Sequence, residues 1–186
     1  LEGKEFNQLI YISSDAVFKD DAKIINEKTE KTPVSLHGNM HLIRENVLKN
    51  LFENKLCILR PTLIYGIEDP HNGYGPNKFL RQVKKSENIL LFGKGEEMRD
   101  HVYIEDVINV IIKCLMKNYI GNINVASGKV VSFYNIAKIC IEKNKNIKIN
   151  FLPRVGPIPH KGFRKFNIKK LKSFLNTSRF TNLNDY

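Results

Sequence analysis

Two histidines four residues apart, His37 and His41, have the type and spacing that most directly suggest chemistry in this sequence. An imidazole titrates at about 6.5, so either ring could exchange a proton near neutral pH. Glu45 continues the series by another four residues, and the three fall on one face of a helix. That face invites a metal reading. Zinc needs its ligands to converge on a point, however, and Glu45 lies two turns from His37, with no H-E-x-x-H present. Two polar histidines on a helix surface are the plain structural alternative. A second polar cluster, Ser13-Ser14-Asp15, follows directly on the apolar run Leu9-Ile10-Tyr11-Ile12. Such a run followed by hydroxyls predicts a buried strand that delivers Ser13 and Ser14 into a loop.

The elements that must position these groups follow from periodicity. A polar stretch over 19–35 predicts a surface loop. Met40, Ile43, Val47, Leu48 and Leu51 recur at helical spacing, which predicts a helix near Gly38 to Glu53 with one apolar face. Lys55 to Arg60 predicts a second buried strand, ended by Pro61. Strand, helix and strand in this order form a βαβ unit with parallel strands. Residues 65–78, rich in Gly, Pro, Asn and His, predict a long loop of the kind that carries function. Further on, the sequence predicts a helix at Lys78–Lys85, a strand at Ile89–Phe92 and a turn at Gly93-Lys94-Gly95. His101–Ile104 is a short extended piece, and a helix then runs to Lys117 with Asp106 as its N-terminal cap. A strand at Asn122–Ala126 precedes a helix capped by Ser132. Ile147–Leu152 is a last strand, Pro153–Gly162 a loop, and Ile168–Phe174 a terminal helix.

Composition narrows the function classes. Thirty basic residues against 19 acidic ones give +11, but 23 of the 30 are lysines dispersed along the chain. Arginine, the better tool for bidentate phosphate and base recognition, is scarce. No zinc finger, RNP motif or basic heptad is present, so specific nucleic-acid binding is not expected. No apolar run approaches the roughly 18 residues of a membrane span. Three scattered cysteines, Cys57, Cys114 and Cys140, form no disulfide framework and point to a reducing cytoplasm. The chain begins Leu1-Glu2-Gly3-Lys4, without an initiator methionine, and is expected to be a piece of a larger protein.

Four segments in order carry a resemblance. IYISSDAVF (Ile10–Phe18), PVSLHGNMHLIRE (Pro33–Glu45), LRPTLIYG (Leu59–Gly66) and GKGEEMRDHVYIED (Gly93–Asp106) together resemble the extended short-chain dehydrogenase/reductase family. These are the NAD(P)-dependent sugar-nucleotide epimerases, dehydratases and reductases. The resemblance implies an α/β fold, the C-terminal part of a Rossmann-type parallel sheet with a small mixed α/β substrate lobe. It places residues 1–66 in the remaining dinucleotide-binding part and 67–186 mainly in the substrate lobe, with elements returning to the sheet; two C-terminal strands of the family's sheet would remain. It implies that Ser14, His37 and His41 are catalytic, and that Ser13, His41, Pro61 and Leu63 face NAD or NADP. Asn77 and Arg99 would hold a nucleotide-sugar substrate, Arg99 through its planar fork on the diphosphate. The alternative for Arg99 is a surface pair with Asp100, Glu96 or Glu97. Arg60 and Tyr65 serve the fold, and Gly162-Phe163-Arg164 could reach a substrate.

The departures set the alternatives. Where the family has Tyr and Lys four residues apart, this sequence has His37 and His41. A His could replace the Tyr as acid/base without help, and a neutral His41 could still bond a ribose hydroxyl, but it supplies no fixed charge. Ala16 follows Asp15, which argues against a 4,6-dehydratase mechanism. The glycine-rich pyrophosphate turn is absent, so this chain alone is expected to bind NAD(P) weakly. The parent is therefore an enzyme of this family or a non-catalytic descendant that binds a nucleotide sugar or a protein partner. Self-association, with a homodimer as its simplest form, is expected from an exposed strand edge and apolar helix faces.

Overall fold

The computed structural model describes residues 5–21, 23–67, 69, 72–142, 144, 146–176 and 180–183. Leu1–Lys4 and part of the 65–78 loop lie outside the described residues. In chain order the elements are β1 (Leu9–Ile12), β2 (Ile24–Ile25), α1 (Leu36–Phe52), β3 (Leu56–Pro61), β4 (Leu63–Tyr65), α2 (Pro76–Lys84), β5 (Ile89–Phe92), β6 (Met98–Tyr103), α3 (Ile104–Met116), β7 (Gly121–Val125), β8 (Val130–Ser132), α4 (Phe133–Ile141), β9 (Ile149–Leu152), β10 (Phe163–Phe166) and α5 (Lys169–Leu175).

The βαβ unit is present. Strands β1 and β3 pair in parallel, Leu9 opposite Leu56 and Ile12 opposite Leu59, with α1 between them in sequence. Strand β7 returns to pair with β3, Cys57 opposite Gly121 and Pro61 opposite Val125. The sheet therefore has three parallel strands, β7 returning to it from the 67–186 part of the chain. All six residues of β3 are buried, as its continuous apolar run requires. Alternation along β3 sends Cys57 and Leu59 into a core with Val107, Val110 and Cys114 of α3 and Leu171 of α5. Arg60 points the other way, toward α1.

Two further sheets build the rest. One runs β2-β10-β6-β4, with β8 antiparallel on β6; the other is the parallel pair β5-β9. A second core of Phe79, Ile89, Leu91, Phe133, Ile136 and Ala137 packs α2 and α4 on β5. Three of these strands, β2, β4 and β8, are only two or three residues long. No periodicity can declare itself over so few residues. The 19–35 loop thus hides β2, and β6 is six residues rather than a short piece before α3. Ser132 caps α4 as expected, its Oγ accepting from Asn135 N at 3.2 Å. Asp106 does not cap α3. Strand β6 runs straight into that helix with Tyr103 at the cap, and Asp106 Oδ2 accepts from Thr181 N at 2.9 Å.

Helix α1 presents an exposed apolar face of the kind expected to promote self-association. Its apolar stripe faces outward: Leu36, Met40, Ile43, Val47 and Leu51 are 77%, 42%, 62%, 50% and 65% exposed. The buried residues are Gly38 and Glu45. Two contacts turn the helix this way, the close approach of Gly38 to the backbone of Ala16 and a fully buried ion pair between Glu45 and Arg60. Among the described residues no helix is long and apolar enough to cross a membrane.

Candidate active site

Strand β1 ends at Ile12, and Ser13 extends the pairing by one bond, its N donating to Leu59 O at 2.7 Å. Ser13 Oγ then donates to Glu45 Oε1 at 2.7 Å. Burial would raise the Glu45 carboxyl. The Arg60 hydrogen bonds and charge, with help from Ser13, outweigh burial and hold it below the usual carboxylate range. Ser14 is extended and caps a single helical turn over 15–17, its Oγ accepting from Ala16 N at 3.2 Å. That turn is fixed from the far end of the chain. Arg164 Nε donates to Asp15 Oδ2 at 2.8 Å and Nη2 to Asp15 O at 2.6 Å. Arg164 is therefore a buried anchor on β10, not a residue of the loop that reaches a substrate.

Helix α1 abuts the same turn. Ser35 Oγ accepts from Gly38 N at 3.0 Å and starts the helix. Gly38, without a side chain, lets the first helical turn touch the Ala16 carbonyl. His37 Nε2 consequently lies 3.3 Å from Ser14 Oγ. The His41 ring stands edge-on to His37, centroids 4.6 Å apart. Tyr11 Oη meets His41 Nδ1 at 2.8 Å. Burial, followed by the His37 and Arg44 charges, lowers the His41 pKa. With the phenol as donor, a neutral His41 accepts at Nδ1 and carries its own proton on Nε2.

These groups open onto a cavity of about 760 Å³. Ser13, Ser14, His37, His41, Pro61, Leu63 and Asn77 all line it. Asn77 serves the wall itself: its Oδ1 accepts from Gly66 N at 3.1 Å and its Nδ2 donates to Asp69 Oδ2 at 2.7 Å. Arg99 is not brought to this cavity. Its Nε donates to Glu97 Oε1 at 2.7 Å, and Arg154 holds the other Glu97 oxygen at 3.3 Å. The chemistry is that of hydroxyls and imidazoles arranged for proton exchange. Among the described residues no His, Cys, Asp or Glu cluster could hold a metal ion.

Sequence reasoning passed over three residues of the site: Thr62 and His101 line the cavity, and Tyr11 stands behind His41. Tyr11 carried no signal beyond its place in an apolar run. Thr62 is buried with no partner for Oγ1, and it follows a strand-ending proline that looked like a terminus. His101 is 4% exposed on β6, packed edge-on against Phe133, and neither ring nitrogen has a hydrogen-bond partner. A Cβ on Gly75, whose φ of +142° already disfavours other residues, would stand 3.7 Å from His101 Nε2. A lone histidine inside a short strand has no spacing partner to mark it.

Burial pushes His101 down to about 4. The Arg99 backbone nearby favours protonation, without reaching hydrogen-bond geometry, and burial outweighs it. The unfolded chain takes up a proton at about 6.5, while the folded one resists until about 4, so this residue weakens the fold as pH falls through that window. His101→Phe removes both the titration and two unsatisfied buried nitrogens. Chemical denaturation should find the variant at least as stable as wild type at pH 7. The gap should widen in its favour by about 2–3 kcal/mol by pH 4.5. A gap that stays constant would show His101 solvated.

Comparison with known proteins gives concordant matches. The family model for the NAD-dependent epimerase/dehydratase family matches residues 2–126. An uncharacterized protein of Methanocaldococcus jannaschii is 28% identical over 158 residues, 80% of this chain and 48% of the relative. An uncharacterized UDP-glucose epimerase of Bacillus subtilis is 22% identical over 183 residues, 95% of this chain and 57% of the relative. The chain thus spans about half the length of these curated relatives. The solved UDP-glucuronic acid 4-epimerase of Bacillus cereus, in complex with UDP-glucuronic acid and NAD, is similar at 25% identity with a TM-score of 0.83. That match covers 98% of this chain and 60% of that one. A putative epimerase of Burkholderia cenocepacia shares the fold at 16% identity and a TM-score of 0.85, over 98% of this chain and 61% of that one.

Proposed function

The chain belongs to the NAD-dependent epimerase/dehydratase family, of the extended short-chain dehydrogenase/reductase type, and from that premise we propose that it forms the substrate-facing part of a protein that changes the configuration or oxidation state of a nucleoside-diphosphate sugar beside NAD(P). One observation carries the reading: Ser14, His37 and His41, from two separate elements, converge on one cavity with Ser14 Oγ and His37 Nε2 within 3.3 Å. Free buried thiols are consistent with a reducing, cytoplasmic setting.

The walls suit one end of the cofactor. Thr62 Oγ1, buried without a partner between Pro61 and Leu63, is the kind of group that a carboxamide or ribose hydroxyl satisfies. His41 offers an N–H to a ribose. The sequence has no glycine-rich strand-to-helix turn, so these residues provide no seat for the pyrophosphate. When bound, NAD(P) supplies the hydride acceptor and donor.

This chain's residues handle the proton. A sugar hydroxyl placed between Ser14 and His37 donates its proton to Nε2 as the attached carbon is oxidised, and recovers it on reduction. Ser14 Oγ, steadied by Ala16 N, holds the sugar oxygen in line. His41 stays neutral and orients, with Tyr11 behind it.

The test is His37→Phe in the full-length protein, assayed for epimerisation of UDP-glucose with NAD. A fall in kcat of about 100-fold or more, with sugar-nucleotide binding kept, is expected for loss of a general base. An unchanged kcat removes His37 from the mechanism. Wild-type protein that binds the sugar nucleotide without turning it over selects the other reading, a binding protein without redox chemistry.

A further inference from the structure

The cavity's charge inventory narrows the sugar. Among the described residues that line it there is no lysine and no arginine. Its two acids are already engaged, Asp15 by the buried Arg164 and Asp69 by Asn77 Nδ2. Of its imidazoles, His37 faces Ser14 Oγ and His41 takes a bond from Tyr11. Arg99 and Arg154, cations that might have served, are held on Glu97 away from this wall.

Two buried polar groups remain without partners, Thr62 Oγ1 and the ring of His101. Both are neutral and each can donate as well as accept. A neutral imidazole presents one N–H and one lone pair, which matches a hydroxyl, itself donor and acceptor. It cannot balance a carboxylate. Taking a carboxylate out of water into a wall whose described residues include no lysine or arginine costs far more than taking a hydroxyl that finds its bonds. His101 lies on the partition between this cavity and a second one of about 510 Å³. Its ring is held edge-on by Phe133, so its hydrogen bonds point in fixed directions.

Resting on the nucleotide-sugar reading above, we propose that this site takes a neutral hydroxyl-bearing sugar and rejects a sugar acid, with His101 the specificity-determining residue that pairs with a hydroxyl of the sugar. The unsatisfied nitrogens are then a cost carried by the free protein and relieved on binding. Sites built to hydrogen-bond a hydroxyl discriminate strongly, because an ill-matched ligand leaves their buried groups unpaired.

The experiment is calorimetric titration of the 186-residue chain with UDP-glucose and with UDP-glucuronic acid. UDP-glucose should bind roughly 10-fold or more tightly than UDP-glucuronic acid. His101→Phe should weaken UDP-glucose about 10-fold, while His101→Gln, which keeps a donor and an acceptor, should stay within about threefold of wild type. Equal affinity for the two probes overturns the proposal alone and leaves the nucleotide-sugar reading standing. Equal losses in the Phe and Gln variants reduce His101 to packing and overturn its assigned role. Failure of both probes to bind wild type overturns the wider reading and this one together.

Discussion

Glu45→Ala is expected to lower the stability of the fold by about 3–5 kcal/mol. The carboxylate is completely buried and meets Arg60 through two bonds, Nε at 2.7 Å and Nη2 at 2.8 Å. Ser13 Oγ adds a third at 2.7 Å. Glu45 comes from α1, Arg60 from β3 and Ser13 from the end of β1, so one carboxylate joins all three parts of the βαβ unit. Its removal leaves a fully buried guanidinium with nothing to oppose it except the Phe18 ring, 5.3 Å away. Domains hold together by only about 5–15 kcal/mol, so the loss should be plain in urea denaturation, with the midpoint falling sharply. The double variant Glu45→Met, Arg60→Met separates charge from packing. It should recover most of the loss, because a buried pair replaced by apolar groups of similar volume is often neutral. A single-variant loss below about 1 kcal/mol would mean that water or another group reaches Arg60.

Gly38→Ala should destabilise by about 1–3 kcal/mol, against the direction that helix propensity sets. In an open helix alanine is favoured over glycine by roughly 1 kcal/mol. Here the added Cβ would stand 2.2 Å from Ala16 O and 2.7 Å from Pro33 Cβ. A backbone carbonyl cannot swing aside as a side-chain tip can. Either the helix start or the turn carrying Ser14 must move, and the 3.3 Å approach of His37 to Ser14 lengthens with it. Thermal melts measure the first effect. The second appears as loss of sugar-nucleotide binding or turnover at a temperature where the variant remains folded. An alanine variant more stable than wild type would show that the turn yields freely.

Both predictions concern a helix whose orientation its own periodicity leaves open. Met40, Ile43, Val47 and Leu51 mark an apolar face by any periodicity, yet that face is outward. What decides the matter is non-local. The inner face is the one that can touch Ala16 and pair with Arg60, residues 22 and 15 positions away in the chain. The apolar stripe was legible as a stripe; its partner was not, because periodicity states which residues share a face and never which face the core receives.

The same division runs through the site. The strand ending in Ser13-Ser14, the His pair on a helix, the strand ending at Pro61 and the loop leading to Asn77 were all readable in order, because each is a local pattern of punctuation and period. Parallel pairing of β1 and β3 followed from strand–helix–strand order alone. Sequence could not say that Arg99 is held by Glu97, since a guanidinium so near several acids has many partners to choose from until the sheet fixes one. Nor could it place Arg164, 149 residues from Asp15, behind the turn that presents Ser14.

By itself, then, the sequence determined the α/β class, the βαβ unit, the family and the local elements that carry Ser13, Ser14, His37 and His41, all properties of local order along the chain. The tertiary structure alone decided which face of α1 is buried, which arginine is held and by what, and that His101 stands in the wall with its nitrogens unsatisfied. These depend on distances between residues far apart in sequence, where burial and pairing are settled only once the chain has closed on itself.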